Sequence, residues 1–398
     1  MQRKDKKRRD GKSEGRPSLV AAHVRRLEAY TPGEQPKAKN VVKLNTNENP
    51  YPPSPACAKV LQGFDLDHLR RYPDPVFAAL RDALAKLNKT TPDRVFVGNG
   101  SDEVLSLAAR AFVEDDQCIA SLDPSYSLYK TLAAIRNVKW VGVEGIQGRR
   151  KKEEGRSAEG RSSELPSSSA AKHVENCLSN HTSYLLPLPS SLSLFLLTNP
   201  NAPTGTFRNV ADIAAFAKKF PGVVLVDEAY ADFAHDNCMR LATAPKNRNV
   251  LVMRTFSKSY SLAGLRVGYC VGPKPLIDAL YKIKDSYNVD ALAQSVALAA
   301  VKDQKWMKAN VAKVVKTRAW FTKELRARGW DVPDSESNFV FAKPPAPLKA
   351  AALFEELKKH NVFVRYFKGE KTKERLRITI GTDKEMKRLL SCLDKGGL

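Results

Sequence analysis

The sequence lacks closely spaced cysteine pairs. Its six cysteines are scattered singly: Cys57, Cys118, Cys177, Cys238, Cys270 and Cys392. Without a C-x-x-C pair, the pattern argues against zinc ribbons and disulfide scaffolds and indicates a reducing compartment. We therefore predict no metal site.

Long hydrophobic runs are also missing. The longest, around Leu192 to Leu197, is far shorter than the roughly 18 apolar residues that a membrane span needs. The start of the chain shows no apolar region typical of a signal peptide. We expect a cytoplasmic protein without membrane contacts, and a plastid location stays open if the N-terminus is incomplete.

Acidic residues are too few to balance the basic ones, 43 against 66, so the formal net charge is +23. The basic opening, MQRKDKKRRDGKSEGR, also carries Asp5, Asp10 and Glu14. We interpret residues 1–28 as a basic disordered arm. Such an arm can bind nucleic acid or serve as an address, but a solvated tail explains it as well, and we expect no nucleic-acid partner.

With 398 residues, 42% of them hydrophobic, the chain is long enough for two domains. Short Val- and Leu-rich runs alternate with helical stretches, and each run ends in Gly, Pro, Asn, Asp or Ser. This pattern is typical of buried parallel strands followed by a loop and a helix. We predict an α/β domain over 45–290, with a mainly parallel central sheet flanked by helices.

The pattern changes at both ends of that domain and once inside it. After residue 290 come long helical stretches and the strand-like runs NFVFAK, VFVRYF and LRITIGT. We predict a smaller α+β domain formed by 29–44 and 291–398. Residues 148–191 are rich in Ser, Gly and charge without periodicity, so we predict a disordered insertion there.

Four motifs stand at predicted strand ends: GNGSDE (98–103), NPNAPTG (199–205), DEAY (227–230) and SKSYSLAGLR (257–266). In a parallel sheet, ligands bind beside the carboxyl ends of the strands. The amides of Gly100, Ser101 and Asp102 would open a helix whose N-terminus can receive a phosphate.

The other motifs supply further groups. Ser257 and Arg266 can bind the same anion. Asp227 leaves an apolar strand, where an unpaired carboxylate is costly, so it needs a cationic partner. An amine, a carboxylate and a phosphate cup are what pyridoxal phosphate requires. Taken singly, each has an ordinary explanation: a solvated Lys258, or a capping acid at a strand end.

In this order the motifs resemble those of the fold-type I pyridoxal-phosphate aminotransferases, and among them the histidinol-phosphate aminotransferases. The resemblance begins near Tyr30 and is interrupted by the insertion. The motifs that carry it are AYTPGEQP (29–36), LNTNENPYPPSP (44–55), RRYPDP (70–75), NGSDEVL, DPSYSLY (123–129), TFSKSYSLAGLRVGY (255–269), SYNVD (286–290) and LRITIGT (376–382).

The resemblance implies a catalytic role for three residues. Lys258 would carry pyridoxal 5′-phosphate as a Schiff base and move the substrate proton. Asp227 would pair with the pyridinium nitrogen, and Tyr230 would hydrogen-bond the phenolic oxygen. Tyr126 of DPSYSLY would stack on the ring, although an ordinary core tyrosine is the alternative.

The same resemblance implies which residues bind the cofactor phosphate and that a second subunit contributes to the site. Ser101, Asp102, Ser257 and Arg266 would hold the cofactor phosphate. Tyr72 of RRYPDP would reach the cofactor phosphate of a neighbouring subunit, which implies a homodimer.

Further positions would bind substrate. Arg377 matches the arginine that binds the substrate's anionic group, where a guanidinium fork suits carboxylate or phosphate. Arg365 and Tyr30 would add phosphate contacts; an exposed strand arginine and a packed tyrosine are the alternatives. Additional predicted pocket residues are Asn47, Glu48 and Asn338.

One motif departs from the wider aminotransferase group. That group has Asn directly before PTG, where this chain has Ala202, with Asn201 one position earlier. We predict that Asn201 supplies the contact to the cofactor oxygen, unless another group replaces it.

The resemblance implies transfer of an amino group from L-glutamate to imidazole acetol phosphate, giving L-histidinol phosphate and 2-oxoglutarate, in histidine biosynthesis. An aromatic aminotransferase or a threonine-phosphate decarboxylase would share much of this motif set. A transcription regulator with an aminotransferase-like domain needs a helix-turn-helix domain first, and the 28 residues before AYTPGEQP are too few for one.

Overall fold

The computed structural model describes residues 19–27, 34–36, 40–144 and 191–395. The predicted insertion therefore lies outside the described residues, except for its last residue, Ser191. Within the predicted arm, the structure has one turn of helix, α1 (Ala22–Arg25), which buries no side chain. Residues 1–18 and residue 28 of the predicted arm also lie outside the described residues.

The central feature is a sheet of seven strands, formed within the described residues. They are β2 (Val95–Gly98), β3 (Cys118–Asp123), β4 (Lys139–Glu144), β5 (Leu192–Thr198), β6 (Val223–Asp227), β7 (Val250–Thr255) and β8 (Gly268–Val271). Their order across the sheet is β2-β8-β7-β6-β5-β3-β4. The pairs among β3 to β7 are parallel, and β8 is antiparallel to both its neighbours. The predicted mainly parallel sheet is confirmed.

Both faces of this sheet are covered. Along β6, Val224 and Val226 pack into one hydrophobic cluster while Val223 and Leu225 pack into another. The strand is apolar at every position because successive side chains point to opposite, equally buried faces. The helices of this part of the chain are α2 (Pro55–Gln62), α3 (Ala78–Leu87), α4 (Ser101–Ala111), α5 (Leu128–Arg136), α6 (Val210–Lys219), α7 (Met239–Thr243) and α8 (Lys274–Ile283).

The C-terminal part contains long helices and short strands, as the sequence pattern predicts. Its helices are α9 (Ala291–Lys302), α10 (Gln304–Ala327), α11 (Ala350–Lys359) and α12 (Asp383–Lys395). Asp303 separates α9 from α10, and its carboxylate caps α10 by accepting a hydrogen bond from the backbone N–H of Trp306 at 3.2 Å.

Two small sheets complete the fold. Strands β9 (Phe339–Ala342), β11 (Arg365–Tyr366) and β12 (Leu376–Thr379) form an antiparallel sheet in the order β11-β12-β9, and β1 (Val42–Lys43) pairs in parallel with β10 (Val362–Phe363). The run VFVRYF, predicted as one strand, thus divides between two sheets at Val364. The domain bounds 29–44, 45–290 and 291–398 stay a prediction.

Among the described residues, no helix is both long and apolar enough to cross a membrane. In the same part of the chain, no group of three or more His, Cys, Asp or Glu side chains is placed to hold a metal ion.

Candidate active site

Asp227 is the last residue of β6 and is only 4% exposed. Its carboxylate accepts hydrogen bonds from the Tyr129 hydroxyl at 2.7 Å and from the backbone N–H of Ala229 at 3.0 Å. In the described part of the chain, no lysine or arginine forms an ion pair with it. Burial raises the pKa of Asp227 to about 6, against the hydrogen bond from Tyr129. A buried carboxylate without such an ion pair is suited to bind a protonated ring nitrogen.

Lys258 follows β7 and is half-buried. Its Nζ donates to the backbone oxygen of Thr46 at 3.3 Å and lies 5.9 Å from the centre of the Tyr230 ring. Burial, followed by the positive charge of Arg377, lowers the pKa of Lys258 to about 8. An appreciable fraction of free amine therefore exists near neutral pH, as a nucleophilic lysine requires.

The segment 45–47 connects several of the predicted site residues. Arg377 donates to the backbone oxygen of Asn45 at 2.8 Å, directly beside the Thr46 oxygen that Lys258 binds. Asn47 donates through Nδ2 to the Tyr230 hydroxyl at 2.9 Å. The structure thus brings residues from positions 47, 230, 258 and 377 to one place.

Asn338 completes this group. Its Nδ2 donates to the backbone oxygen of Asn47 at 2.9 Å, and the residue is fully buried. Its Oδ1 is buried and has no hydrogen-bond partner in the structure. A buried amide oxygen without a partner is costly, so this atom fits a donor on a bound molecule.

The residues predicted to cradle an anion lie at the start of α4. Gly100 has φ +81°, and a Cβ at this position would lie 2.6 Å from Nη2 of Arg266. Ser101 and Asp102 begin α4, where the first amides have no intrahelical acceptor. The Gly100 amide instead donates to Gly98 O at 2.9 Å. The Gly100 amide is thus engaged within the protein in this structure, and its contact to a phosphate stays a prediction.

Arg266 joins this cradle to the loop of Lys258. Its Nη1 donates to the Ser257 hydroxyl at 3.5 Å, and its Nη2 donates to the Asp102 carboxylate at 3.2 Å. The predicted phosphate residues Ser101, Asp102, Ser257 and Arg266 are therefore close together.

Two tyrosines of DPSYSLY face this region, and sequence reasoning singled out only one. Tyr126 donates to Asp102 at 3.3 Å and packs edge-to-face on Tyr129 at 5.7 Å. Tyr129 is fully buried between Asp227 and Thr198, whose Oγ1 lies 2.6 Å from the Tyr129 hydroxyl. The signal in the sequence that could have identified Tyr129 is its position three residues after Tyr126, which can place both side chains on one side of the chain.

Arg365 and Arg377 occupy opposite positions on the antiparallel strands β11 and β12. Both guanidinium groups lie over the ring of Phe367, 5.5 and 5.3 Å from its centre. Two facing cations of this kind are suited to a shared anion.

The side chain of Asn201 is fully engaged within the protein. Its Nδ2 donates to Pro124 O at 3.0 Å and to Thr204 Oγ1 at 2.9 Å, and its Oδ1 accepts from Ser125 at 2.9 Å. A contact from Nδ2 to a cofactor oxygen would require one of these bonds to break.

The remaining predicted residues differ in their positions. Glu48 forms an ion pair with Lys43, accepts a hydrogen bond from the Thr46 hydroxyl at 2.8 Å, and acts electrostatically on Lys258. Tyr72 is 80% exposed and stacks on Tyr287 with ring centres 4.3 Å apart. Tyr30 lies outside the described residues.

A cleft of about 880 Å³ lies between residues 231–237 and helix α10. None of the predicted site residues lines it. The chemistry-bearing residues gather instead at the carboxyl ends of β5, β6 and β7, which is where ligands bind in such sheets.

The sequence model of the family "Aminotransferase class I and II" matches residues 39–393. The chain belongs to this family. Its predicted enzyme class, an aminotransferase, and its fold-type I architecture are thereby confirmed.

Individual relatives cover nearly the whole chain. "Histidinol-phosphate aminotransferase 1" of Trichormus variabilis is 38% identical over 369 residues, which are 92% of this chain and 95% of that protein. "Histidinol-phosphate aminotransferase" of Syntrophotalea carbinolica is 40% identical, over 93% of this chain and 97% of that protein.

A solved structure shows the same fold. The histidinol-phosphate aminotransferase from Sinorhizobium meliloti, in complex with pyridoxal-5′-phosphate, superposes with a TM-score of 0.77. It is 24% identical in sequence, and the match covers 96% of this chain and 98% of that one.

Proposed function

We propose that this aminotransferase exchanges an amino group between L-glutamate and imidazole acetol phosphate, giving L-histidinol phosphate and 2-oxoglutarate in L-histidine biosynthesis. The observation that carries the proposal is that Arg365 and Arg377 face each other on neighbouring strands. Arg377 donates to the backbone oxygen of Asn45, next to the Thr46 oxygen that accepts from the amine of Lys258. The relatives named histidinol-phosphate aminotransferases support the same conclusion.

The residues present fit the cofactor pyridoxal 5′-phosphate. Asp227 would hold the ring nitrogen, because it is a buried carboxylate that accepts hydrogen bonds but forms no ion pair with a lysine or arginine among the described residues. Tyr230 and Tyr126 would hold the phenolic oxygen and the ring face. Ser257 and Arg266 would bind the phosphate, together with the first amides of α4.

When bound, the cofactor supplies an electron sink that makes the hydrogen beside the substrate's amino group acidic. Lys258 would hold the cofactor through its amine, and the same amine would take that proton and return it at a different atom. Its lowered pKa of about 8 keeps part of it in the unprotonated form that this role needs.

Both substrates are anions, which explains the use of two arginines. A guanidinium group presents paired donors that match either a carboxylate or a phosphate monoester, whereas an ammonium group is a single point charge. Arg377 would bind a carboxylate of L-glutamate or the phosphate of imidazole acetol phosphate, and Arg365 would add contacts to the phosphate.

The active form that we propose is a homodimer in the cytoplasm. Tyr72 and Tyr287 stack on one another while remaining 80% and 43% exposed, and Leu66 and Leu69 nearby are also exposed. Apolar surface of this kind favours burial against a partner. Tyr72 would then reach the cofactor phosphate of the neighbouring subunit.

The decisive experiment follows the absorbance of the cofactor-loaded protein while L-histidinol phosphate is added. We expect the bound cofactor's absorption band to change, and subsequent 2-oxoglutarate to restore it with formation of L-glutamate. A band that does not respond to L-histidinol phosphate would contradict the proposal.

Two related activities are distinguished in the same assay. L-phenylalanine would change the band at lower concentration if the protein were an aromatic aminotransferase. Release of carbon dioxide from threonine phosphate would identify a decarboxylase.

A further inference from the structure

A buried ion pair that the proposed mechanism does not use joins β7, which precedes Lys258, to the residue that follows Asp227. Nη2 and Nε of Arg254, on β7, lie 2.8 and 3.0 Å from Oε2 of Glu228. The side chain of Glu228 is completely buried, and that of Arg254 is 15% exposed. The other oxygen of Glu228 accepts the backbone N–H of Cys238.

A second link continues from this pair. Nη1 of Arg254 lies 3.7 Å from Oδ1 of Asp232, and the Ser259 hydroxyl donates to Oδ2 of Asp232 at 2.5 Å. Glu228, Arg254, Asp232 and Ser259 therefore form one continuous set of polar contacts, which we term the rear network.

Members of the rear network adjoin site residues in the chain. Glu228 directly follows Asp227, and Ser259 directly follows Lys258. The backbone N–H of Glu228 also donates to Met253 O at 2.8 Å. Displacement of one segment along the other would therefore break charged contacts as well as sheet hydrogen bonds.

Stability alone gives little reason for such a network. Taking two charges out of water costs about as much as their attraction returns, and apolar replacements are often neutral or stabilising. Burial raises the pKa of Glu228, against the attraction of Arg254, which indicates that this cost is present here. The best attested use of a buried ion pair is to fix one arrangement over its alternatives.

We propose that the rear network is a positioning device that holds the amine of Lys258 in register with the carboxylate of Asp227. Ser259 and Asp232 fix the loop that carries the lysine, and Arg254 with Glu228 fixes that loop to the end of β6. These four are positioning residues, since none is among the groups assigned to the cofactor or substrate. The inference rests on the roles proposed for Lys258 and Asp227.

The test compares Ser259→Ala, Asp232→Asn and Arg254→Lys with the unaltered protein. The matched control is Arg328→Lys, which alters an arginine paired with Asp394 and Glu324, away from the site. Four quantities are measured for each: kcat, KM, the dissociation constant of pyridoxal phosphate, and the midpoint of the pH titration of the bound cofactor's absorbance. Thermal unfolding reports the structural effect.

We expect Ser259→Ala and Asp232→Asn to lower kcat on the order of tenfold, because small misplacements of a reacting group are costly. The titration midpoint should move and KM should change much less. Arg254→Lys keeps the charge but loses the two-pronged contact, so it should show the same pattern more strongly. The control should match the unaltered protein in all four quantities.

The proposal is overturned if Ser259→Ala and Asp232→Asn leave kcat and the titration midpoint unchanged, even where Arg254→Lys unfolds at lower temperature. These two variants decide the matter if Arg254→Lys does not fold. An unaltered protein that fails to bind pyridoxal phosphate would instead contradict the proposed function, which keeps the two failures distinct.

Discussion

Arg365 and Arg377 stand directly opposite one another on antiparallel strands, and both guanidinium groups lie over the ring of Phe367, 5.5 and 5.3 Å from its centre. Like charges in opposed positions destabilise a sheet. An anion bound between the two guanidinium groups would offset this repulsion. We therefore expect the repulsion to lower the stability of the unliganded protein.

Replacing Arg365 by methionine should separate binding from stability. We expect KM for L-histidinol phosphate to rise roughly 10- to 100-fold, since a hydrogen bond to a charged group contributes about 1.5–3 kcal/mol. The unliganded variant should unfold at an equal or higher urea concentration, because the facing charge is gone. Steady-state kinetics and urea titration measure the two effects. Arg375→Lys is the control, since Arg375 pairs with Asp331 and should leave KM unchanged.

Substitution of Lys258 by alanine should remove the amine that holds the cofactor and moves the proton. We expect turnover to fall by at least the 10²–10⁴-fold typical of a lost proton-transfer group, and borohydride should no longer fix the cofactor to the protein. Rate assays and mass spectrometry of the reduced protein measure this. Lys274→Ala removes a surface lysine paired with Asp278 and should retain activity; a fully active Lys258→Ala protein would refute the assignment.

The rate at which pyridoxal phosphate binds should depend on pH through Lys258. With its pKa lowered to about 8, the free amine should increase as pH rises and level off above that value. Arg377 lowers this pKa by its charge, so Arg377→Met should move the midpoint of the rate profile upward. Stopped-flow absorbance gives both profiles, and an unmoved midpoint would show that Arg377 does not act on the amine.

Asp227→Asn should weaken cofactor binding without destabilising the unliganded protein at pH 8. The folded-state pKa of Asp227 is raised from 3.8 to about 6, so its contribution to stability is present below pH 4 and is lost as pH rises through 6. At pH 8 the buried, ionised carboxylate lowers the stability of the folded protein by at most about 3 kcal/mol. The neutral amide of the asparagine variant does not carry this cost. Urea unfolding at pH 5 and pH 8 and cofactor titration measure the two effects. A variant that unfolds more easily at pH 8 would contradict this account.

Gly100→Ala should damage the phosphate cradle. The new methyl group would lie 2.6 Å from Nη2 of Arg266. The backbone there has φ +81° and ψ 165°, a region that essentially only glycine adopts, at a cost of about 1–3 kcal/mol for other residues. We expect a higher dissociation constant for pyridoxal phosphate and a lower unfolding temperature. Gly264→Ala is the control, because a Cβ there meets nothing within 4 Å; equal effects of the two changes would contradict the geometric reason.

Much of the site could be predicted from strand-end motifs. Asp227 and Lys258 each follow a buried apolar run, and parallel strands bring their carboxyl ends to one edge. Tyr129 was missed because a buried tyrosine in a helix is an ordinary core residue by sequence, and only the fold places it 2.7 Å from Asp227. The division of VFVRYF between two sheets was missed for a related reason, since strand partners are long-range contacts that periodicity does not contain.

The sequence by itself determined the α/β pattern, the mainly parallel sheet and the order of the motifs, because these depend on local alternation and on residue types at strand ends. Only the tertiary structure decided that residues 45–47 bring together Lys258, Tyr230 and Arg377. It also decided that Arg254 and Glu228 close a buried ion pair behind them. These contacts join positions up to 332 residues apart in the chain. Contacts between such distant positions depend on the packing of the whole chain, which no short stretch of sequence specifies.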